Sequence, residues 1–232
     1  MVPVLKLVVF DAYGTLFDVA SPARRVAAEP QFAAFTPHFG AVARDWRQKQ
    51  LEYSWIRAVT DAHADFWTVT GEALDWALDA AGLGAEAGLR DRLRALYREP
   101  DAFRDAAPAL ARLRAARLGT AILSNGEPAM LDAAVEAAGI GGSLDAILSV
   151  EAAGVFKPAR AVYDLVGREF GTAKDEVLFV SANGWDAAAA SGYGFATAWV
   201  NRTGAPRDRL PWMPDHELAD LSGVPELAEA GQ

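Results

Sequence analysis

A chain of 232 residues, 52% hydrophobic and 23% charged, can bury a substantial core and does not have the composition of a disordered segment. Its formal net charge of -9 argues against nucleic-acid partners, whose phosphates require clustered Lys and Arg. With no Cys, disulfides, thiol catalysis and thiolate zinc sites are excluded, and His38, His63 and His216 show no metal-ligand spacing.

Val4 to Phe10 is apolar and rich in β-branched residues, interrupted only by Lys6, which predicts a strand buried on both faces of a parallel sheet. The run ends at Asp11, followed by Ala12-Tyr13-Gly14-Thr15-Leu16-Phe17-Asp18. A carboxylate there sits at the carboxyl edge of the sheet, where open α/β folds bind ligands. The amino terminus lacks the charged leader and cleavage site of a signal peptide, and no stretch has the length to cross a bilayer, so a cytoplasmic protein is expected.

From about residue 19 to 107 the pattern is helical, and an inserted helical domain is expected. Phe39 to Thr60 forms the longest stretch, with Leu51, Trp55 and Val59 recurring every four residues. Asp65 to Ala81 predicts a second helix ending at Gly82, and Glu86 to Tyr97 a third. From Pro108 the chain alternates strand and helix, as a right-handed parallel sheet requires. Strands are expected at Gly119–Leu123, Ala146–Val150, Val177–Val180 and Phe195–Val200, helices at Pro128–Ala138, Ala159–Phe170 and after Asp186, and a short amphipathic helix near Leu221–Ala228. The expected architecture is an α/β, Rossmann-like parallel-sheet core (1–18 and 108–232) with an inserted α-helical cap domain (19–107).

Three later segments bring polar residues to the same sheet edge as Asp11. Leu123-Ser124-Asn125-Gly126 reads equally as a turn before a helix cap. Lys157-Pro158 also fits an exposed lysine before a helix, although a carboxylate in a dry pocket needs a cation to stay ionised. In Ser181-Ala182-Asn183-Gly184-Trp185-Asp186, the final carboxylate also complements the next helix dipole.

Together, Asp11-x-x-Gly14-Thr15-Leu16, Ser124-Asn125, Lys157-Pro158 and Ser181-x-Asn183-x-Trp185-Asp186 resemble the four ordered motifs of the haloacid dehalogenase superfamily. Phosphatases of that superfamily carry a second Asp where this chain has Tyr13, and the form Asp-x-Tyr-Gly-Thr-Leu-Phe-Asp is similar to its L-2-haloacid dehalogenases. The segment Trp46-Arg47-Gln48-Lys49-Gln50-Leu51-Glu52-Tyr53 resembles their cap segment, and Arg47 shares a helical face with Ala43 and Leu51.

The resemblance implies that Asp11 is a covalent nucleophile and that Thr15, Ser124, Lys157, Ser181, Asn183 and Asp186 orient the nucleophile, the substrate carboxylate and water. Arg47 would bind the departing halide, helped by Asn125 and Trp185, with Tyr13, Phe66 and Tyr163 as further pocket residues. It implies no cofactor and no metal, a small 2-haloacid and halide as the only ligands, no membrane partner, and a homodimer. The alternatives are a phosphohydrolase of the same superfamily, against which Tyr13 weighs, and a non-catalytic small-anion-binding protein.

Overall fold

The computed structural model describes residues 4–230. Six parallel strands, β1 (Leu7–Phe10), β2 (Gly119–Ser124), β3 (Ala146–Ser149), β4 (Val177–Ser181), β5 (Ala196–Val200) and β6 (His216–Leu218), form one sheet in the order β3-β2-β1-β4-β5-β6. The fold is therefore α/β, a Rossmann-like sheet wound outward in both directions from β1. Every residue of β1 and β4 is buried, as a strand covered on both faces must be, and this is why both read as unbroken apolar runs.

Register determines what meets at the carboxyl edge. Phe10 pairs with Ile122 on one side and Val180 on the other. Asp11 therefore emerges level with Ser181 and one residue below Ser124, and its N–H still bonds to the Val180 carbonyl at 2.9 Å.

Between β1 and β2 lie helices α1 (Ser21–Ala27), α2 (Phe39–Thr60), α3 (Phe66–Ala80), α4 (Leu89–Tyr97) and α5 (Ala106–Ala115). The two chain passages joining the helical insertion to the sheet pair with each other: Asp18 N–H donates to Asp101 O at 2.8 Å and Phe103 N–H to Leu16 O at 2.9 Å. The boundary expected at 107/108 falls inside α5, while the outermost expected core residues, 1–3 and 231–232, lie outside the described residues. Beyond β2 come α6 (Pro128–Ala138), α7 (Arg160–Phe170), α8 (Gly184–Tyr193) and α9 (Val224–Ala230). Among the described residues no helix is long and apolar enough to cross a membrane.

The helix expected over Phe39–Thr60 is found with those bounds, and one helical expectation is corrected. The third cap helix begins at Leu89 instead of Glu86 because Gly88, at φ +73°, takes a left-handed conformation that a helix interior excludes. On α2 the stripe Leu51, Trp55 and Val59 is not the packed face, and Val59 is 82% exposed. The buried face is Val42, Trp46, Gln50 and Ser54, one residue earlier in each turn. It packs on α3, the most extensive helix–helix contact in the molecule. Two of its members are polar and their burial is made tolerable by hydrogen bonds, so hydrophobic spacing points to the wrong face. The helix α3 begins at Phe66, one residue after the expected start, because Asp65 caps it, its carboxylate accepting from Thr68 N–H at 2.7 Å.

Candidate active site

Where β1 ends, the backbone turns through Gly14 (φ +94°), a conformation that a side chain there would strain. The turn brings Thr15 back over Asp11. Its hydroxyl donates to Asp11 Oδ2 at 3.0 Å and accepts from the Ala182 N–H at 2.8 Å, so the loop after β1 is tied to the loop after β4. Asn183 Nδ2 donates to the same Asp11 oxygen at 2.8 Å. The other oxygen, Oδ1, accepts from Lys157 Nζ at 3.2 Å. Asp11 is thereby held in one rotamer and is only 6% exposed.

Lys157 is 1% exposed and spans two carboxylates, since its Nζ also bonds to Asp186 Oδ2 at 2.9 Å. Burial alone would lower the ammonium's pKa, but the neighbouring Asp186 and Asp11 hold it above the usual lysine value. Burial raises the pKa of Asp186, against the pull of Lys157 in the opposite direction. The Lys157 backbone is anchored by donation to Asn125 Oδ1 at 3.0 Å. Tyr163 does not line the cavity. Its hydroxyl donates to Asp186 Oδ1 at 2.7 Å, and burial followed by that carboxylate lifts its pKa well above the usual phenol value.

Ser124 and Ser181 end β2 and β4, the two strands that flank β1. Ser181 Oγ accepts from Asn183 N–H at 3.1 Å, and Ser124 Oγ accepts from Gly126 N–H at 3.0 Å. Ser124 and Asn125 both line the cavity beside Asp11, whereas Thr15, Ser181 and Asp186 stand behind it. From α2, Arg47 reaches over this edge: Nη2 donates to Tyr13 O and to Asn183 Oδ1, each at 3.2 Å. Phe66 and Trp185 complete the wall, together with Leu51, which the sequence reading did not select as a site residue. The enclosed space available to the centre of a water molecule is ≈ 10 Å³, room for about one such molecule.

Tyr13, at the position where the resemblance puts a carboxylate in phosphatases, sits among aromatic rings. Its ring stacks on Tyr97 (5.7 Å, 18°), contacts Phe17 and Phe66, and is 2% exposed. Its hydroxyl is buried without a hydrogen-bond partner, and burial, then Tyr97 and Glu127, raises its pKa. Residues that sequence reasoning missed stand one layer out: Gln50, Thr70 and Tyr97 behind Arg47, and Ser149, whose hydroxyl donates to Gly126 O at 2.6 Å. Gln50, Thr70 and Tyr97 lie on α2, α3 and α4, and Ser149 ends β3; their polarity is the only local signal of a role.

The arrangement presents a fixed carboxylate, a buried ammonium at its back, and a guanidinium and a hydroxyl on its open side. Such a set can drive nucleophilic displacement at a small anionic substrate and stabilise the anion that leaves. Among the described residues no cluster of three or more His, Asp or Glu side chains is arranged to hold a metal.

Residues 5–194 match the model of the haloacid dehalogenase-like hydrolases. The chain is 42% identical to (S)-2-haloacid dehalogenase 4A of Burkholderia cepacia, over 95% of this chain and 90% of the relative. It is 46% identical to the (S)-2-haloacid dehalogenase of Xanthobacter autotrophicus, over 85% and 76% respectively. It also superposes on the structure of an L-2-haloacid dehalogenase from Xanthobacter autotrophicus with chloropropionic acid covalently bound, with a TM-score of 0.86 at 40% identity, covering 97% of this chain and 98% of that one.

Proposed function

The chain belongs to the haloacid dehalogenase-like hydrolases, and from that premise we propose that it hydrolyses (S)-2-haloalkanoic acids to (R)-2-hydroxyalkanoic acids. The observation that carries the reading is the Asp11 carboxylate, held by Thr15, Asn183 and Lys157 beneath an arginine whose hydrogen-bond partners are all neutral.

In the first step an Asp11 carboxylate oxygen attacks the α-carbon from the side opposite the halogen. The carbon–halogen bond breaks, its electron pair leaves with the halide, and an ester forms with inversion. Water then adds to the Asp11 carboxyl carbon, and the bond from that carbon to the ester oxygen breaks. The 2-hydroxy acid departs carrying an oxygen that had belonged to Asp11, and one proton is released per turnover.

Thr15 and Asn183 hold the nucleophile against rotation, while Ser181 holds the loop bearing Asn183. Lys157 offsets the nucleophile's charge, and Asp186 keeps that lysine charged and in place. We assign the substrate carboxylate to Ser124 and the neighbouring backbone N–H groups, and the departing halide to Arg47 with Asn125 and Trp185. At ~4 Å and an effective dielectric near 20, one such charge pair contributes about 4 kcal/mol. Phe66, Leu51 and the Tyr13 ring exclude water from the reacting centre.

The reading assigns no metal or cofactor to the reaction, since the cation between Asp11 and Asp186 is the Lys157 ammonium. It includes a core of 1–18 and 108–232 with a cap at 19–107, the second boundary better placed before α5. It also includes a cytoplasmic homodimer, for which the exposed Ile56 and Val59 on α2 offer apolar surface.

A single turnover with excess enzyme, chelator-treated and in heavy-oxygen water, tests the mechanism. L-2-chloropropionate should release chloride and give a hydroxyl oxygen that is unlabelled. Full solvent label in the first turnover, or phosphate-ester hydrolysis with no halide release, would replace this reading with direct water attack or with a phosphohydrolase.

A further inference from the structure

Behind Arg47 lies a polar cluster that the chemistry above does not use. Gln50, one turn further along α2, is completely buried, and its Oε1 accepts from Arg47 Nη1 at 2.8 Å. Its Nε2 donates to Thr70 Oγ1 at 2.7 Å, and the Tyr97 hydroxyl stands 3.0 Å from Nε2 and 3.1 Å from Oε1. Thr70 and Tyr97 are also buried, and the Trp46 indole N–H donates to the Thr70 carbonyl at 2.8 Å. The amide's orientation follows from chemistry: a guanidinium only donates, so Oε1 must face Arg47 and Nε2 must face Thr70. Three elements of the insertion, α2, α3 and α4, thus converge on one amide.

A buried polar group is costly unless satisfied, and an apolar residue would fill this position between α2 and α3 without any partner. The amide does what an apolar residue cannot. It fixes one arm of the guanidinium while the other arm bonds to Tyr13 O and Asn183 Oδ1, and none of the three partners cancels the positive charge. A carboxylate at position 50 would fix the arm as well, but it would neutralise the charge that a leaving anion needs.

From these contacts we infer that Gln50, braced by Thr70 and Tyr97, is a positioning residue that sets the Arg47 guanidinium over the nucleophile while leaving its charge available to the leaving group. This rests on the proposed halide-accepting role of Arg47. It adds to the reading a cluster acting through the arginine and touching no substrate.

The test is single-turnover halide release from L-2-chloropropionate by wild type, Gln50→Met, Gln50→Glu, Arg47→Ala and the Arg47→Ala/Gln50→Met double variant, with thermal unfolding of each. Gln50→Met should slow chloride release at least tenfold in the wild-type background and less than twofold in the Arg47→Ala background. Gln50→Glu keeps the shape and accepts from Arg47, Thr70 and Tyr97, so it should fold even where the Met variant does not. It too should lose at least tenfold in chloride release. Equal losses in both backgrounds would make Gln50 a packing residue and overturn the inference alone, as would a folded Gln50→Glu enzyme with wild-type rates. No halide release by wild type from any 2-haloacid would overturn the parent reading and this inference with it.

Discussion

The two cations of the site are held in opposite ways. Lys157, at the sheet edge, is 1% exposed and bonded to two carboxylates, so its charge is committed to the protein's own anions. Arg47, on α2, is half-buried and bonded only to neutral oxygens. The first arrangement holds the Asp11 carboxylate in place in a dry environment. The second leaves a positive charge without a carboxylate partner at the cavity wall. Proximity to the reacting atoms alone would not separate these roles, because both side chains line the same cavity.

The contrast is broken most severely at the lysine. Lys157→Met strands two buried carboxylates, so it should lower kcat by about 10³-fold or more and destabilise the fold by about 3–5 kcal/mol. Calorimetry alongside halide release reads both quantities. The stabilisation has a defined pH window. The folded-state pKa of Lys157 lies above the usual 10.5, so its contribution is complete below about that pH and is lost as pH rises through the folded value. The difference in thermal midpoint between wild type and Lys157→Met should therefore be constant from neutral pH to about 10 and shrink above it. A difference unchanged at alkaline pH would remove the ammonium from the argument.

Arg47→Ala should give the opposite balance. Loss of one preorganised cation at the leaving group corresponds to roughly 10²–10³ in chloride displacement. Stability should fall by only about 1 kcal/mol, because the partners left behind are neutral. A large stability loss with modest kinetic damage would place this arginine in the same class as Lys157.

The contrast is sharpened at Tyr13, where the smallest effect is expected. Its hydroxyl is buried and unpartnered, so Tyr13→Phe should keep kcat/KM within about threefold and leave the fold unchanged or up to about 1 kcal/mol more stable. Destabilisation would mean that the phenol is satisfied in solution.

The same division explains what was legible in the sequence. Asp11, Ser124 and Ser181 stand where buried strands stop and could be located by the ends of apolar runs, whereas Lys157 lies well past β3 and was located by its place in the ordered motifs. Parallel register then brings them together. The strands β1, β2, β4 and β5 and the helices α2 and α6 were legible for that reason, β1 over a shorter span than expected. The short β6 and α1 were not. The sequence His216–Leu218 carries no apolar run, and β6 takes its place from pairing with β5. Support for Arg47 comes from Thr70 and Tyr97, 23 and 50 residues away, through contacts that no local pattern encodes. The buried polar face of α2 hid itself for the same reason, by reading as solvent-facing.

The packing around Tyr13 limits what else position 13 can hold. Its ring is wedged among Phe17, Phe66 and Tyr97, and a Cβ at Gly126 would come within 2.9 Å of it and 2.8 Å of Leu131. Substituting Asp at position 13 would bury an unpartnered carboxylate against aromatic carbon and open a cavity of several carbon atoms, each a cost of a few kcal/mol. Introducing a carboxylate there would therefore require coordinated changes in the loop after β1, α3, α4 and the Ser124–Gly126 loop. A single substitution that puts a carboxylate at position 13 first passes through a damaged fold.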